Sequence, residues 1–556
     1  MRLFLLVINC FHFIIGSTQT EVPVVPVYVA LPQNNINILK EKLNDISNPL
    51  STNYGNWLKR DEINKFVYPP KNHQQIVIDW ISKYDTNKLQ NNGDSITFET
   101  SKPTAIKMFN ITNNNEDTGP LVNYTIPLHL RNYIEFVEMS TKKIKRKIKK
   151  NNQNFNPQID DRYFGREPLL NLYNVPFESL DRKVSGGLIE YQNNAGFLEN
   201  DLNNQQILNE QYLQNATTII GGNVGIDTES ELDVQMLSQS ANGINIWYWT
   251  SPYWLYSFAV DFYNSDIIPD VISMSWGWSE REQCDIIDCV NITSTQYVER
   301  VNNEYLKIAL RGVTLVVSSG DAGAPGRTNE LCEDSQPINP AFPGSSPYVT
   351  SVGATFVPVD NTTYNFTTPL CLNDGCITSK NEKAIRFDSV GWTAGGGFNL
   401  YNNNTPTWQK KEVDSYLQSG IPLPSKENVN YNGRAYPDIS AIGHSCPTVI
   451  DGQLGGVDGT SCSAPVVAGL LSIINNELWR HRHLKLGFAN PLLYYMFQNC
   501  KECFQDVTDG YNWCTEETCC SNETEFGFKA KKGYDPVSGL GTLNVKNILN
   551  FIKKLY

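Results

Sequence analysis

Histidine is scarce in this sequence. The 556-residue chain has six, and only His444, His481 and His483 lie beyond residue 160, so chemistry that depends on a histidine base has few places to find one. Positive charge is short as well: 45 lysines and arginines against 58 aspartates and glutamates leave a formal charge of −13. That balance gives a nucleic-acid partner no electrostatic support, and none is expected. No stretch past the N-terminus runs to eighteen consecutive apolar residues, so no membrane span is expected either. The cysteine spacings match no zinc motif. With 40% hydrophobic and 11% aromatic residues, the chain is also far from the composition of a disordered protein.

The N-terminus offers one Arg, an apolar run from Leu3 to Ile15 and then Gly16, Ser17 and Thr18. This reads as a secretory signal peptide over residues 1–19. Delivery into the secretory pathway, to a lysosome or out of the cell, permits disulfides among the cysteines that remain after Cys10. Cys284 with Cys289, and Cys371 with Cys376, are close enough to close small loops. Eight N-x-Ser/Thr triplets begin at Asn110, Asn123, Asn215, Asn291, Asn361, Asn365, Asn403 and Asn522, and in an Asn-rich chain such triplets also arise by chance.

The sharpest break in composition is KKIKRKIKK at 142–150, followed by a polar stretch to Asp161. It reads as an exposed linker open to proteolysis, dividing a domain at 20–141 from one at 165–556, with 142–164 between them. Before it, β-rich runs at Val24–Ala30 and Ser95–Glu99 and a helical stretch at Gln75–Tyr84 predict a small α+β domain. After it, apolar runs at Val271–Ser275, Thr314–Ser318 and Tyr348–Val352 alternate with helical stretches at Glu231–Ala241 and Tyr297–Leu310. That alternation predicts an α/β domain with a mostly parallel central sheet flanked by helices. Its chemistry belongs in loops at the carboxyl ends of the strands.

The most informative segment is Gly459-Thr460-Ser461-Cys462-Ser463-Ala464-Pro465, which leads into a buried helix marked by apolar residues at 466, 467, 470, 471, 474 and 478. A hydroxyl at that helix start meets free N–H groups and the positive end of the dipole, both of which favour developing negative charge. Ser461 alone would pass as a helix cap, but the full G-T-S-x-S-x-P pattern belongs to subtilisin-like hydrolases and their relatives. A serine nucleophile needs a base. His481 and His483 lie on or just beyond its own helix, and His444 is too near in sequence to occupy a separate one. Glu229 and Asp233, spaced by four, place two carboxylates on one helix face, close enough to share a proton. A glutamate, with an ordinary pKa of about 4.3, stays ionised in acid where a histidine at about 6.5 is already charged and useless as a base. Taken alone the pair would more often be a solvated helix face.

Together these features resemble the sedolisins, or serine-carboxyl peptidases, and among them the tripeptidyl-peptidase I group. The resemblance rests on Tyr54-Gly55-Asn56-Trp57-Leu58 in the first domain, ESELDVQ from Glu229, SSGDAGA from Ser318 and FPGSSPYVTSVGAT from Phe342. It continues with GGGF from Gly395, GRAYPD from Gly433 and DGTSCSAP from Asp458. It implies a subtilisin-like catalytic domain preceded by a ferredoxin-like propeptide that inhibits its own enzyme until cleavage in the linker. It also implies a Ser-Glu-Asp triad in which Ser461 attacks, Glu229 takes the proton and Asp233 orients Glu229. Asp321 would serve the oxyanion, which requires it to be protonated; Glu231 falls off the catalytic position. Asp506 and Asp535, with carbonyls of Val507, Lys531 and Gly533, match the family's site for one Ca2+, although Lys531 and Lys532 stand where glycine is usual. Asp458 replaces a common serine and adds a carboxylate beside the nucleophile.

The expected activity is release of N-terminal tripeptides from peptides and unfolded proteins in acid. Endopeptidase action is the alternative within the same class. A noncatalytic secreted binding protein is the alternative outside it, and it would be favoured by loss of any of the four catalytic positions, all of which are present.

Overall fold

The computed structural model describes residues 24–111, 121–143, 149–151, 164–176, 184–192, 196–333, 335–357, 382–401 and 404–555. The signal-peptide stretch, most of the basic linker, the Cys371–Cys376 loop and the triplets at Asn361, Asn365 and Asn403 lie outside the described residues. Among the described residues no helix is long and apolar enough to cross a membrane.

The N-terminal domain is built on four antiparallel strands, β1 (Val24–Ala30), β2 (Thr86–Asn91), β3 (Ser95–Ser101) and β4 (Phe136–Glu138), in the order 2-3-1-4. Helices α1 (Ile36–Ile46) and α2 (Lys71–Ile81) connect the first two strands, and α3 (Lys102–Phe109) leads from β3 toward β4. This is the split β-α-β, ferredoxin-like arrangement. Val27, Val29, Ile96 and Phe98 alternate onto the face that the helices cover, and Val77, Ile81 and Phe109 complete that core.

The second domain is organised around eight strands. In chain order the first five are β6 (Ser185–Tyr191), β7 (Thr218–Ile220), β8 (Asn245–Ser251), β9 (Val271–Met274) and β10 (Thr314–Ser318). They are followed by β11 (Thr350–Phe356), β12 (Lys383–Ala384) and β13 (Ile439–Ile442). Spatially they run β12-β11-β10-β9-β6-β8-β7, with β13 also pairing β11. All pairs are parallel except β11 with the two-residue β12. Because helices cover both faces, VISM and TLVVS are buried at every position and read as continuous apolar runs.

One face carries α4 (Thr228–Ser240) and the long α7 (Thr460–Arg482); the other carries α5 (Leu255–Asn264) and α6 (Ser294–Leu310). Helix α6 begins at Ser294, three residues before the expected start, because Thr293 and Gln296 form a reciprocal capping box there. Helices α4 and α7 pack without a side chain between them at Gly469, where an added Cβ would fall 1.9 Å from the Ser240 hydroxyl. That close approach sets the spacing of the two helices whose first turns carry Glu229, Asp233 and Ser461.

The N-terminal domain docks on the α5 and α6 face. Trp57, from the motif singled out in the sequence, donates its indole N–H to the Lys485 carbonyl at 3.0 Å and lies against Gly312 and Gly487. Glu138 accepts from the amides of Trp254 and Ser257 at the start of α5 and from the Tyr297 hydroxyl. Lys307 meets Asp94 at 2.6 Å with both side chains 1% exposed. Arg300 reaches Glu135, Glu304 and the Leu31 carbonyl.

The linker is not wholly a free tether. Lys149–Asn151 (β5) adds as an edge strand to the hairpin of β14 (Cys446–Ile450) and β15 (Gln453–Asp458), with Lys149 opposite Asp458. The reading of 142–164 as exposed throughout therefore fails at these three residues. The edge of a hairpin leaves N–H and C=O groups unpaired, and a passing extended segment satisfies them.

Candidate active site

Ser461 lies in the first turn of α7, after Gly459, whose φ of +152° lets the chain swing from β15 into the helix. Pro465 has no N–H to give the Ser461 carbonyl four residues back. The Ser275 hydroxyl lies 3.4 Å from that carbonyl and donates at 2.9 Å to Asp233 Oδ1. Ser275 follows β9, so a residue at the carboxyl end of a central strand joins the two helices at the site. The Ser461 hydroxyl is directed at the Ser275 carbonyl, 3.5 Å away. The residue after the nucleophile, Cys462, forms a disulfide with Cys446 that ties the start of α7 to β14.

Asp321 follows β10. Its Oδ1 accepts from the Thr460 amide at 2.8 Å and the Thr460 hydroxyl at 2.7 Å, which leaves Oδ2 toward the cleft. A Cβ added to Gly459 would lie 3.6 Å from both Asp321 Oδ2 and Ser461 Cβ, so the glycine keeps the space between them open. Glu229 sits in the first turn of α4, and Asp233 one turn on; both are buried. The structure thus brings Ser461 to Asp321 through Thr460 and to Asp233 through Ser275.

Three nearby groups resolve otherwise than as catalysts. Glu231 accepts from the Leu198 amide and the Gln235 amide group, and burial pushes its carboxyl up to about 8, as suits a structural residue. His444, fully buried, pairs through Nδ1 with Asp458 Oδ2 at 2.7 Å, and the Ser445 amide donates to the other Asp458 oxygen. The additional carboxylate expected beside Ser461 is therefore engaged with the hairpin instead.

The cleft in front of Ser461 encloses about 60 Å³ and is lined by Ser275, Trp278, Asp321, Arg327 and Asn339, among others. Arg327 was not singled out by the sequence. It donates to Glu516 at 2.7 Å and comes within 3.7 Å of Asp321 Oδ2. Ser275 could have been found from the rule that strand carboxyl ends carry chemistry; Arg327 and Glu516, 189 residues apart, leave no local signal.

At the C-terminal side, Asp506 Oδ2 accepts from the Gly533 amide and Asp535 Oδ2 from the Lys531 amide, both at 2.8 Å. Both carboxylates thus converge on one turn. Burial pushes Asp535 up to about 7 and raises Asp506. Lys531 turns its ammonium away to the Ser419 carbonyl. Buried carboxylates beside backbone carbonyls form an oxygen-only donor set that suits a hard cation. Among the described residues no group of three or more His, Cys, Asp or Glu is clustered for a metal, and this set contains only two carboxylates.

Sheet, helices and serine-bearing cleft define a subtilisin-like serine peptidase with an N-terminal activation domain. Comparison with known proteins agrees. Residues 16–142 match the pro-kumamolisin activation domain and residues 213–484 the subtilase family. Physarolisin of Physarum polycephalum is 33% identical over 96% of this chain and 95% of its own length. Human tripeptidyl-peptidase 1 is 33% identical over 59% of the chain, a match spanning 53% of that protein. The solved structure of Pseudomonas sedolisin, complexed with two molecules of pseudo-iodotyrostatin, superposes with a TM-score of 0.54. It has 22% identity and covers 71% of this chain and 98% of that one, which speaks for the fold. The chain belongs to the sedolisin, or serine-carboxyl peptidase, family.

Proposed function

We propose that this peptidase works in acid, releasing tripeptides from free N-termini, and that Ser461, Glu229, Asp233 and Asp321 carry the reaction. The observation that carries the reading is the carboxylate setting of Ser461. Asp321 is fixed by Thr460, Asp233 is joined through Ser275, Glu229 lies one turn before it, and the buried His444 is committed to Asp458.

In this reading the Ser461 hydroxyl attacks the scissile carbonyl while Glu229 takes its proton, and Asp233 holds Glu229 in place. Asp321, protonated, donates from Oδ2 to the oxyanion, so the site needs one carboxylate ionised and another neutral. Glu229 then returns the proton to the departing amine, and water repeats the sequence on the acyl-enzyme. Apo geometry does not need to show the Ser461–Glu229 hydrogen bond closed, since such contacts tighten on substrate binding.

The N-terminal domain, residues 20–141, acts as an inhibitor of its own enzyme until the 142–164 linker is cut. The docking of Trp57 and the pairing of Lys149–Asn151 beside the approach to Ser461 support that role. Asp506 and Asp535, with carbonyls of Val507, Lys531 and Gly533, hold one Ca2+, which would neutralise the buried carboxylates and fix the C-terminal loops. Chelation is expected to lower the melting temperature. The five described disulfides, including Cys284–Cys289 and Cys332–Cys520, favour a route through the secretory pathway to a lysosome or the exterior.

Mass spectrometry of products from matched free and N-blocked peptides at about pH 4 tests the activity. Successive tripeptides from the free peptide alone are expected. Internal cuts in both peptides would replace the tripeptidyl reading with endopeptidase action.

A further inference from the structure

The cleft holds a cation that the catalytic scheme leaves unused. Among the described residues lining it, Arg327 is the sole positive charge and Asp321 the sole carboxylate. A guanidinium carries five donors. One nitrogen, Nη2, donates to Glu516, whose side chain is 2% exposed, while the Arg327 side chain remains 25% exposed. The rest of the fork faces the cleft.

The aim of this side chain is built in. Gly326 precedes it at φ +78°, where an added Cβ would fall 2.6 Å from the Asn339 carbonyl, so glycine is required to turn the chain there. The Cys332–Cys520 disulfide joins the segment after Arg327 to the segment after Glu516, and Cys514–Cys519 closes a small loop around Glu516. The Thr515 hydroxyl donates to the Glu330 carbonyl, and Gly323 packs on the Cys514 carbonyl. Thus a C-terminal loop, far away in sequence, braces one wall of the cleft and holds the guanidinium through a buried carboxylate. Arg327 Nη2 lies 3.7 Å from Asp321 Oδ2, the oxygen that meets the attacked carbonyl. The guanidinium is therefore within one side-chain length of the residue that owns that carbonyl.

We propose that Arg327 selects that residue, favouring a side chain that ends in a carboxyl or carboxamide oxygen over one that ends in an amine or a hydrocarbon. The inference rests on the peptidase reading of the cleft. A planar fork offering charge-assisted hydrogen bonds recognises an acceptor oxygen directionally, and a lysine there would bring a second cation against it. Glu516 acts as a positioning residue that keeps the fork from folding onto Asp321.

The test uses acid-activated enzyme from the full chain and free N-terminal peptides that differ only at the residue before the scissile bond: Gln against Met, and Glu against Lys. The wild type is expected to favour Gln and Glu by about tenfold or more in kcat/KM, the worth of one hydrogen bond to a charged group. In Arg327→Met both ratios should fall to about twofold or less, while the Met peptide is cleaved within a few-fold of the wild-type rate. Arg327→Lys, which keeps a cation, should retain the preference for Glu over Lys. Absence of the preference in the wild type, or its survival in Arg327→Met, overturns the proposal, and the wild-type ratios decide even if that variant does not fold. An active wild type without acceptor preference defeats this proposal alone, whereas an enzyme that cleaves none of the peptides defeats the peptidase reading and the proposal with it.

Discussion

Two regions of the molecule gather carboxylates, and they balance them differently. In the seam between the N-terminal domain and helices α5 and α6, Asp94, Glu135 and Glu304 face Arg300 and Lys307 at hydrogen-bond distance. In the cleft, Glu229, Asp233 and Asp321 have one cation in the lining, Arg327, and that cation is itself held by Glu516. The difference teaches where acid sensitivity is placed. Burial alone would raise Asp94, but the charges of Lys307 and Arg300 more than reverse it and hold its carboxyl below the ordinary value. Where cations are withheld, carboxylates crowded together favour holding protons, and a site that needs a neutral Asp321 beside an ionised Glu229 depends on that.

The comparison can be broken from the cleft side first. Glu229→Gln removes the proposed base, and kcat should fall about 10⁴-fold with propeptide docking unchanged; retention of most activity in a peptide assay would shift the base to another residue. Next in size is Lys307→Met at the seam. It strands Asp94 in a dry setting, and one-sided loss of a buried pair costs about 3–5 kcal/mol. The expected readout is propeptide separation at a higher pH than in the parent, followed by size exclusion in a Ser461→Ala background.

Asp321→Ala should cost about 10²–10³-fold in kcat, as for other oxyanion donors. Asp321→Asn, whose amide donates at any pH, should lose less and extend activity to higher pH. If both variants decline equally at every pH, donation is not what Asp321 does.

The smallest expected effect is on stability against pH. Glu138 is raised by burial, and Asp261, bonded by the Tyr28 hydroxyl, is pushed up to about 7. Groups raised in this way take up protons on folding, so their contribution is full below the ordinary carboxylate range and is lost as pH rises through about 7 for Asp261. Asp94 has the opposite sign: its contribution is present above about 3.9 and is lost as pH falls through its lower folded value. The zymogen form of Ser461→Ala should therefore melt highest in mild acid and loosen below about pH 4. Asp261→Asn should flatten the neutral limb, and a melting curve that climbs steadily to pH 8 would contradict this assignment.

How much of this was legible in the sequence follows the range of each interaction. Strand β10 was read at Thr314–Ser318 without error, because a parallel strand buried on both faces writes a continuous apolar run. Helix α4 was read from Glu231 but begins at Thr228, since the capping by Asp227 carries no hydrophobic mark. The carboxylates at 229 and 233 were visible through their spacing. Ser275, which links Asp233 to Ser461, was not, because only the fold brings residues 186 positions apart together. The same holds for Arg327 with Glu516, for Asp94 with Lys307 and for the Cys332–Cys520 bridge. The strand at Lys149–Asn151 was hidden by its charge, because edge pairing uses backbone groups and leaves no hydrophobic pattern.

The central claim is that Ser461 is the nucleophile of an acid-driven peptidase made with its own inhibitor. The most direct test is intact-mass spectrometry of the purified full chain, wild type and Ser461→Ala, brought from neutral pH to about pH 4. The account predicts that the wild type sheds its N-terminal domain by cleavage within residues 142–164 and gains peptidase activity, while Ser461→Ala keeps its full mass and stays inactive. Cleavage at the same place and rate in purified Ser461→Ala would contradict it.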